Sequence, residues 1–180
     1  MLPDPRLPLT TLSNYAIRPL GDEELGLLEQ HIPFDWANLK KHRQRLEKQR
    51  EGKAAYLVAW IGSRPLGHAL IEWDGTDDPP IADKMRGCPD LQDIFVCPDF
   101  RSRGIGTRLL TAADHLARLR GYGRVGMGVD ITNTRARALY DRRGYRDAGS
   151  GEYQIRWKYT DRNGEERWAE ECCNYLIKDI

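Results

Sequence analysis

The stretch Val96-Cys97-Pro98-Asp99-Phe100-Arg101-Ser102-Arg103-Gly104-Ile105-Gly106-Thr107 decides the fold. Just before it, residues 91–97 (LQDIFVC) predict a strand that stops at Pro98, which has no N–H for a ladder. Just after it, Ile105, Leu109, Ala112, Ala113 and Leu116 recur at helical spacing, and Gly121 closes the helix predicted over 105–120. A strand, a glycine-rich turn and a helix, in that order, aim several backbone N–H groups at one spot at the positive end of a helix. Gly104 and Gly106 keep side chains away from that spot, and Arg101, Arg103 and Arg108 add charge-assisted contacts. This is an anion site suited to phosphate or pyrophosphate. It is not a P-loop, which needs GxxxxGK[ST] with its lysine. Gly121-Tyr122-Gly123-Arg124-Val125-Gly126 spells GxGxxG, but it ends a helix and enters a strand, the reverse of a dinucleotide-binding turn.

Outward from this segment the pattern is regular. Residues 15–20 predict a short strand ended by Pro19. A helix then opens at Gly21-Asp22, with acids in its first turn and Leu25, Leu28 and Ile32 as its apolar stripe, until Pro33 breaks it. Asp35 caps a second helix, with Trp36, Leu39 and Leu46 on one face. Its basic residues, Lys40, Lys41, Arg43, Arg45, Lys48 and Arg50, form a solvated face or one wall of a cleft. Two apolar runs around Gly62-Ser63-Arg64-Pro65 predict a β-hairpin, and residues 74–90 a long loop, functional or mobile. Alternation of Val125, Met127 and Val129 with Gly126, Gly128 and Asp130 predicts a strand over 124–130. A short helix over 134–143 follows, capped by Thr132 or Asn133 and stopped by Gly144. The tail predicts a second hairpin, 152–159 with 167–177, around Asp161-Arg162-Asn163-Gly164. The order describes one α/β domain with a mixed sheet over residues 15–180, behind a flexible arm of residues 1–14. The last strand can pair with its own sheet or with a second copy, so a homodimer is an open alternative.

Composition bounds the function. The chain of 180 residues has 28 Lys+Arg against 27 Asp+Glu, a net charge of +1. That balance argues against a polybasic protein, and neither nucleic acid nor a membrane is an expected partner. No apolar run approaches the roughly 18 residues of a membrane span, and the proline-bearing N-terminus is not a signal peptide. Cys88, Cys97, Cys172 and Cys173 make no CxxC pair, so free thiols in a cytoplasmic protein are expected, and no metal site. The near-neutral total hides segregation. Residues 101–146 hold eleven Arg and three Asp, while Glu72 to Asp99 holds eight acids against Lys84 and Arg86. An acidic stretch beside an acceptor cleft attracts a cation, such as a small amine.

Two motifs now stand in order: Val96-x-Pro98 leading into Arg101-x-x-Gly104-x-Gly106, then Asn133-x-x-Ala136-x-x-Leu139-Tyr140-x-x-x-Gly144-Tyr145. Together they resemble the GCN5-related N-acetyltransferase (GNAT) family over residues 91–146. The resemblance implies a mixed α+β domain with a mostly antiparallel central sheet and helices on both faces. It implies direct transfer of acetyl from acetyl-CoA to an amine, on a small molecule or a protein. The backbone of Ile94, Phe95 and Val96 would pair with the pantetheine arm, in a gap where the strand splays from the next one. The N–H groups of Arg101, Ser102, Arg103, Gly104, Ile105, Gly106 and Thr107 would cradle the pyrophosphate. Asn133 would hydrogen-bond near the pantetheine, and Tyr140 would protonate the leaving thiolate. Gly126 and Gly128 fit a close approach of the cofactor.

The chemistry needs a donor for a growing oxyanion, which the N–H of Phe95 or Val96 can supply. A thiolate of pKa about 8.5 leaves readily, and a phenol of pKa about 10 can return its proton. Many relatives carry a glutamate base on the strand before the turn. Here Gln92 and Asp93 stand in that stretch; Gln92 cannot be a base, so Asp93 is the candidate, with Glu72 on the neighbouring hairpin second. His68 and His115 are read as structural, and direct transfer needs no nucleophile from Cys97. The competing reading is a non-catalytic acyl-CoA sensor.

Overall fold

Strand β2 (Ala54–Ile61) explains the layering of the domain. Its residues from Ala54 to Trp60 are buried without alternation, which requires cover on both faces. Ala55, Leu57 and Ala59 join one core, with Leu109, Leu110 and Ala113 of helix α3 (Ile105–Leu119). Ala54, Tyr56, Val58 and Trp60 join a second core, under helices α1 (Leu25–His31) and α2 (Lys41–Arg50). Helices therefore cover both faces of the sheet, as expected. The computed structural model describes residues 15–33, 41–161 and 163–180, and of Thr160 the backbone alone. The arm of residues 1–14 and the expected helix start with Asp35, Trp36, Leu39 and Lys40 lie outside the described residues.

The remaining elements are β1 (Ala16–Pro19), β3 (Arg64–Glu72), β4 (Asp90–Val96), β5 (Arg124–Asp130), α4 (Thr134–Arg142), β6 (Arg146–Thr160) and β7 (Glu166–Asp179). They form one seven-stranded sheet in the order β1-β2-β3-β4-β5-β7-β6. Every neighbouring pair is antiparallel except β4 with β5. That parallel pair is joined through α3, a crossover of the kind parallel strands require.

Three expectations change in detail. The first hairpin turns on Gly62-Ser63 alone, with Arg64 and Pro65 already in β3, because Gly62 takes φ 57°. The segment 74–89 is irregular but packed: Ile81 and Cys88 are buried with Tyr153, Cys173, Tyr175 and Ile177 in a third small core. The loop is one residue shorter than the expected 74–90, since Asp90 begins β4. The last strand pairs within its own chain, against β5 and β6.

Candidate active site

Strands β4 and β5 pair at a single position, Asp90 with Gly126, where the Gly126 N–H donates to the Pro89 carbonyl at 2.9 Å. Beyond that fork the two parallel strands diverge. A bulge on β4 helps turn it: two residues, Asp93 and Ile94, stand opposite Ala69, and Asp93 adopts φ 53°. The chain regains register at Phe95 opposite His68 and Val96 opposite Gly67. Just beyond, the Cys97 N–H donates to the Leu66 carbonyl at 2.9 Å. Antiparallel ladders alternate, so the Val96 N–H, one residue earlier, turns away from β3 towards the gap.

One cavity, of about 500 Å³, opens between β4 and the helices α3 and α4. Ile94, Phe95, Val96, Arg101, Ser102, Gly104, Ile105, Gly106, Thr107, Asn133 and Tyr140 all line it. Of the expected cofactor residues only Arg103 is not in the wall; it lies beside the Phe100 ring, 5.8 Å from its centroid. Arg108 also turns aside, stacking 4.5 Å over Tyr15, so it adds no charge here. Arg135 and Arg142 of α4 supply that charge with Arg101, and among the described residues no carboxylate lines the cavity. Their signal was in the sequence as the helix that carries Asn133 and Tyr140, but arginine alone does not announce a phosphate. Gly104 caps α3 at φ 78°, a conformation costly for any residue with a Cβ. Arg135 donates to Ser102 Oγ at 3.0 Å, tying α4 to the phosphate turn. Asn133 Oδ1 caps α4 by accepting the Ala136 N–H at 3.1 Å, which leaves the amide nitrogen for a ligand. Burial pushes the Tyr140 phenol up to about 12, so it stays protonated at neutral pH.

A second cavity, of about 470 Å³, lies on the other side of β4. Asp93 lines this one while its neighbour Ile94 lines the first. Its walls come from α2, β3, the 74–89 segment, β4, β5 and the β6–β7 hairpin. Seven carboxylates line it, against Lys41, Arg45 and Lys48. Asp93 forms an ion pair with the buried Arg45 and another with Lys41 at 3.1 Å. Glu72 pairs with Lys48 at 2.6 Å. Asp130 accepts the Thr132 N–H at 2.6 Å. Burial, and then Asp130, raise the pKa of Glu171 above the usual carboxylate range.

The basic helix α2 is thus a cleft wall as well as a solvated face. Arg45 also lies 5.3 Å from the Tyr56 ring centroid, and His42 Nδ1 meets the Tyr56 hydroxyl at 2.6 Å. His68 is buried and stacks 5.4 Å from Phe95, while His115 is exposed on α3. Gly126 and Gly128 make room for tyrosines, not for a cofactor. A Cβ on Gly126 would fall 2.5 Å from the Tyr175 ring, and one on Gly128 would fall 2.7 Å from the Tyr153 hydroxyl. Among the described residues, no group of three or more His, Cys, Asp or Glu is arranged to hold a metal, and no helix is long and apolar enough to cross a membrane.

A splayed parallel pair thus has an arginine-lined, glycine-capped turn at its mouth. The chain belongs to the acetyltransferase (GNAT) family, whose model matches residues 23–145. It is 30% identical over 92 residues to an uncharacterized N-acetyltransferase, MJ1207, of Methanocaldococcus jannaschii, covering 51% of this chain and 39% of that one. It is 39% identical over 57 residues to another, YhfO of Bacillus subtilis, covering 32% and 38%. The matched stretch therefore spans under half the length of these curated relatives. The fold is similar to an N-acetyltransferase of Staphylococcus aureus, with a TM-score of 0.65 and 17% identity over 93% of this chain and 99% of that one. It is also similar to the PaiA N-acetyltransferase of Thermoplasma acidophilum in complex with coenzyme A, with a TM-score of 0.62 and 12% identity over 93% and 100%.

Proposed function

We propose that this chain transfers an acetyl group from acetyl-CoA to a small cationic amine. One observation carries the reading: β4 and β5 part after Asp90, and the freed edge of β4 faces a cavity that ends on the phosphate-type turn. The residues present fit coenzyme A. The cavity wall carries Arg101, Arg135 and Arg142, with no opposing carboxylate among the described residues, and Gly104 leaves open space where a Cβ would project. Acetyl-CoA supplies an activated acyl group and a thiol leaving group. The backbone of Ile94 and Val96 binds the pantetheine as an added strand, Asn133 holds it through its amide, and the α3 N-terminus receives the pyrophosphate. The Val96 N–H donates to the carbonyl oxygen as charge grows there. Tyr140, a protonated phenol at neutral pH, gives its proton to sulfur.

The acceptor enters from the opposite cavity. Its surplus of carboxylates, with Asp77, Asp78 and Glu171 outside the ion pairs described above, favours a positively charged molecule, and its volume suits a small one. Two cations, Lys41 and the buried Arg45, already claim the Asp93 carboxylate. We assign it to holding the β4 bulge and orienting the amine.

The test is incubation with acetyl-CoA and a panel of mono- and diamines, amino acids and short peptides, with free thiol as the readout. Acceptor-dependent release that falls about a hundredfold or more in Tyr140→Phe supports the enzyme. Tight acetyl-CoA binding with no release on any amine makes the chain an acyl-CoA sensor.

A further inference from the structure

One carboxylate of the acceptor cavity differs from the others. Asp90 stands at the fork itself, the residue of β4 that still pairs with β5. It is 4% exposed, yet it lines the cavity floor. Its Oδ1 accepts the Tyr175 hydroxyl at 2.8 Å, and its Oδ2 accepts the Gln92 side-chain amide at 2.9 Å. Both partners are neutral, whereas Asp93 and Glu72 are held by cations. The bare backbone of Gly126 is what lets the Tyr175 ring reach this place.

We propose that Asp90 takes the proton from the acceptor amine, and that Tyr175 and Gln92 are positioning residues that hold its carboxylate at the fork. The assignment rests on the acetyltransferase reading above. The step balances. One N–H proton of the ammonium passes to Asp90. The freed lone pair forms the N–C bond as the C–S bond breaks, and the electron pair leaves on sulfur, which takes the Tyr140 proton. The second N–H proton restores Tyr140, and Asp90 returns its own to solvent.

The surroundings suit that task. Burial pushes the Asp90 carboxyl up to about 7, against the two hydrogen bonds that hold it down. Asp78 from the 74–89 segment and Glu72 from β3 push it further up. The other titratable groups facing it are Cys88 and, from β6 and β7, Tyr153 and Tyr175. Burial pushes all three above their ordinary values, so they stay neutral near pH 7. A base poised near the working pH is the efficient one.

The test is the pH dependence of kcat/KM, measured with two acceptors of different amine pKa so that the limb belonging to the enzyme is the one they share. Wild type is expected to gain activity through about pH 7 as Asp90 ionises. Asp90→Asn, nearly isosteric, is expected to lose that limb and about a hundredfold in kcat/KM, with acetyl-CoA affinity and cooperative unfolding retained. Tyr175→Phe removes a hydrogen bond that favours the ionised form, so the limb moves up by about one pH unit and the activity returns at high pH. The assignment is overturned if Asp90→Asn keeps the limb, or if Tyr175→Phe lowers activity equally at every pH with the limb in place. If wild type releases no thiol with any acceptor, the acetyltransferase reading fails and takes this assignment with it.

Discussion

The two cavities share strand β4 and are built on opposite principles. On one side, recognition is by backbone: the edge of Ile94 to Val96, the turn from Arg101 to Thr107 and the start of α3. Three arginines line it and, among the described residues, no carboxylate does. On the other side, recognition is by side chains projected from seven separate parts of the chain, with seven carboxylates among them. A backbone site reads what N–H and C=O groups can hydrogen-bond, such as a phosphate and an amide-bearing arm. A side-chain site can change with each substitution. The division predicts that damage to one side leaves the other working.

The largest test of that division is Gly126→Ala. The added Cβ would lie 2.5 Å from the Tyr175 ring, so the core must shift, costing about 2–3 kcal/mol in urea denaturation. Tyr175 would also be displaced from Asp90, and acceptor turnover would collapse in the folded fraction. Acetyl-CoA affinity should change little, because Gly126 is not in the wall of that cavity. If acetyl-CoA binding falls as much as turnover, the two sides are one cooperative site.

Gly104→Ala is the matching change on the other side, and smaller. There is open space for the methyl, but φ 78° costs about 1–2 kcal/mol in any residue other than glycine. Acetyl-CoA affinity measured by calorimetry should weaken by about tenfold at most, and the acceptor KM at saturating acetyl-CoA should stay put.

Salt should act more gently still. Arg101, Arg135 and Arg142 are exposed, and the Debye length falls from about 10 Å at 0.1 M to about 3 Å at 1 M. Acetyl-CoA affinity should then drop several-fold, the hydrogen bonds from the turn persisting. A drop of orders of magnitude would mean that the arginines, and not the backbone, carry the binding.

The same division explains what was legible in the sequence. The proposed cofactor side lies within two contiguous segments, 94–107 and 133–142, so the family resemblance their motifs carry implied its wall except where side chains choose a direction. Arg103 and Arg108 could not be seen turning onto Phe100 and Tyr15, because those rings are brought near by packing. The acceptor side was hardly legible. Its acidity showed as a local excess over 72–99, but Asp130 and Glu171 come from β5 and β7. Asp90 was hidden at the end of an apparent loop, since nothing in Pro89-Asp90-Leu91 announces a strand. Gly126 and Gly128 stand out in the sequence, but the neighbours they make room for, Tyr175 and Tyr153, are sequence-distant. Asp93 was legible as a carboxylate, but its pairing with Arg45 depends on how α2 crosses the sheet.

The smallest predicted effect is also the most discriminating. Lys48 and Glu72 meet at 2.6 Å with the lysine side chain 47% exposed, so the pair contributes less than about 1 kcal/mol to stability. Lys48→Met should therefore leave the unfolding midpoint almost unmoved while freeing one carboxylate at the cavity wall. If the acidic wall selects cations, KM for a charged acceptor falls by about two- to threefold at low salt, and the gain vanishes as salt screens it. A neutral acceptor gains nothing, and kcat stays as it is. If Glu72 were itself the proton acceptor, losing its cation would change kcat as well as KM. One variant thus separates a carboxylate that attracts the acceptor from one that deprotonates it.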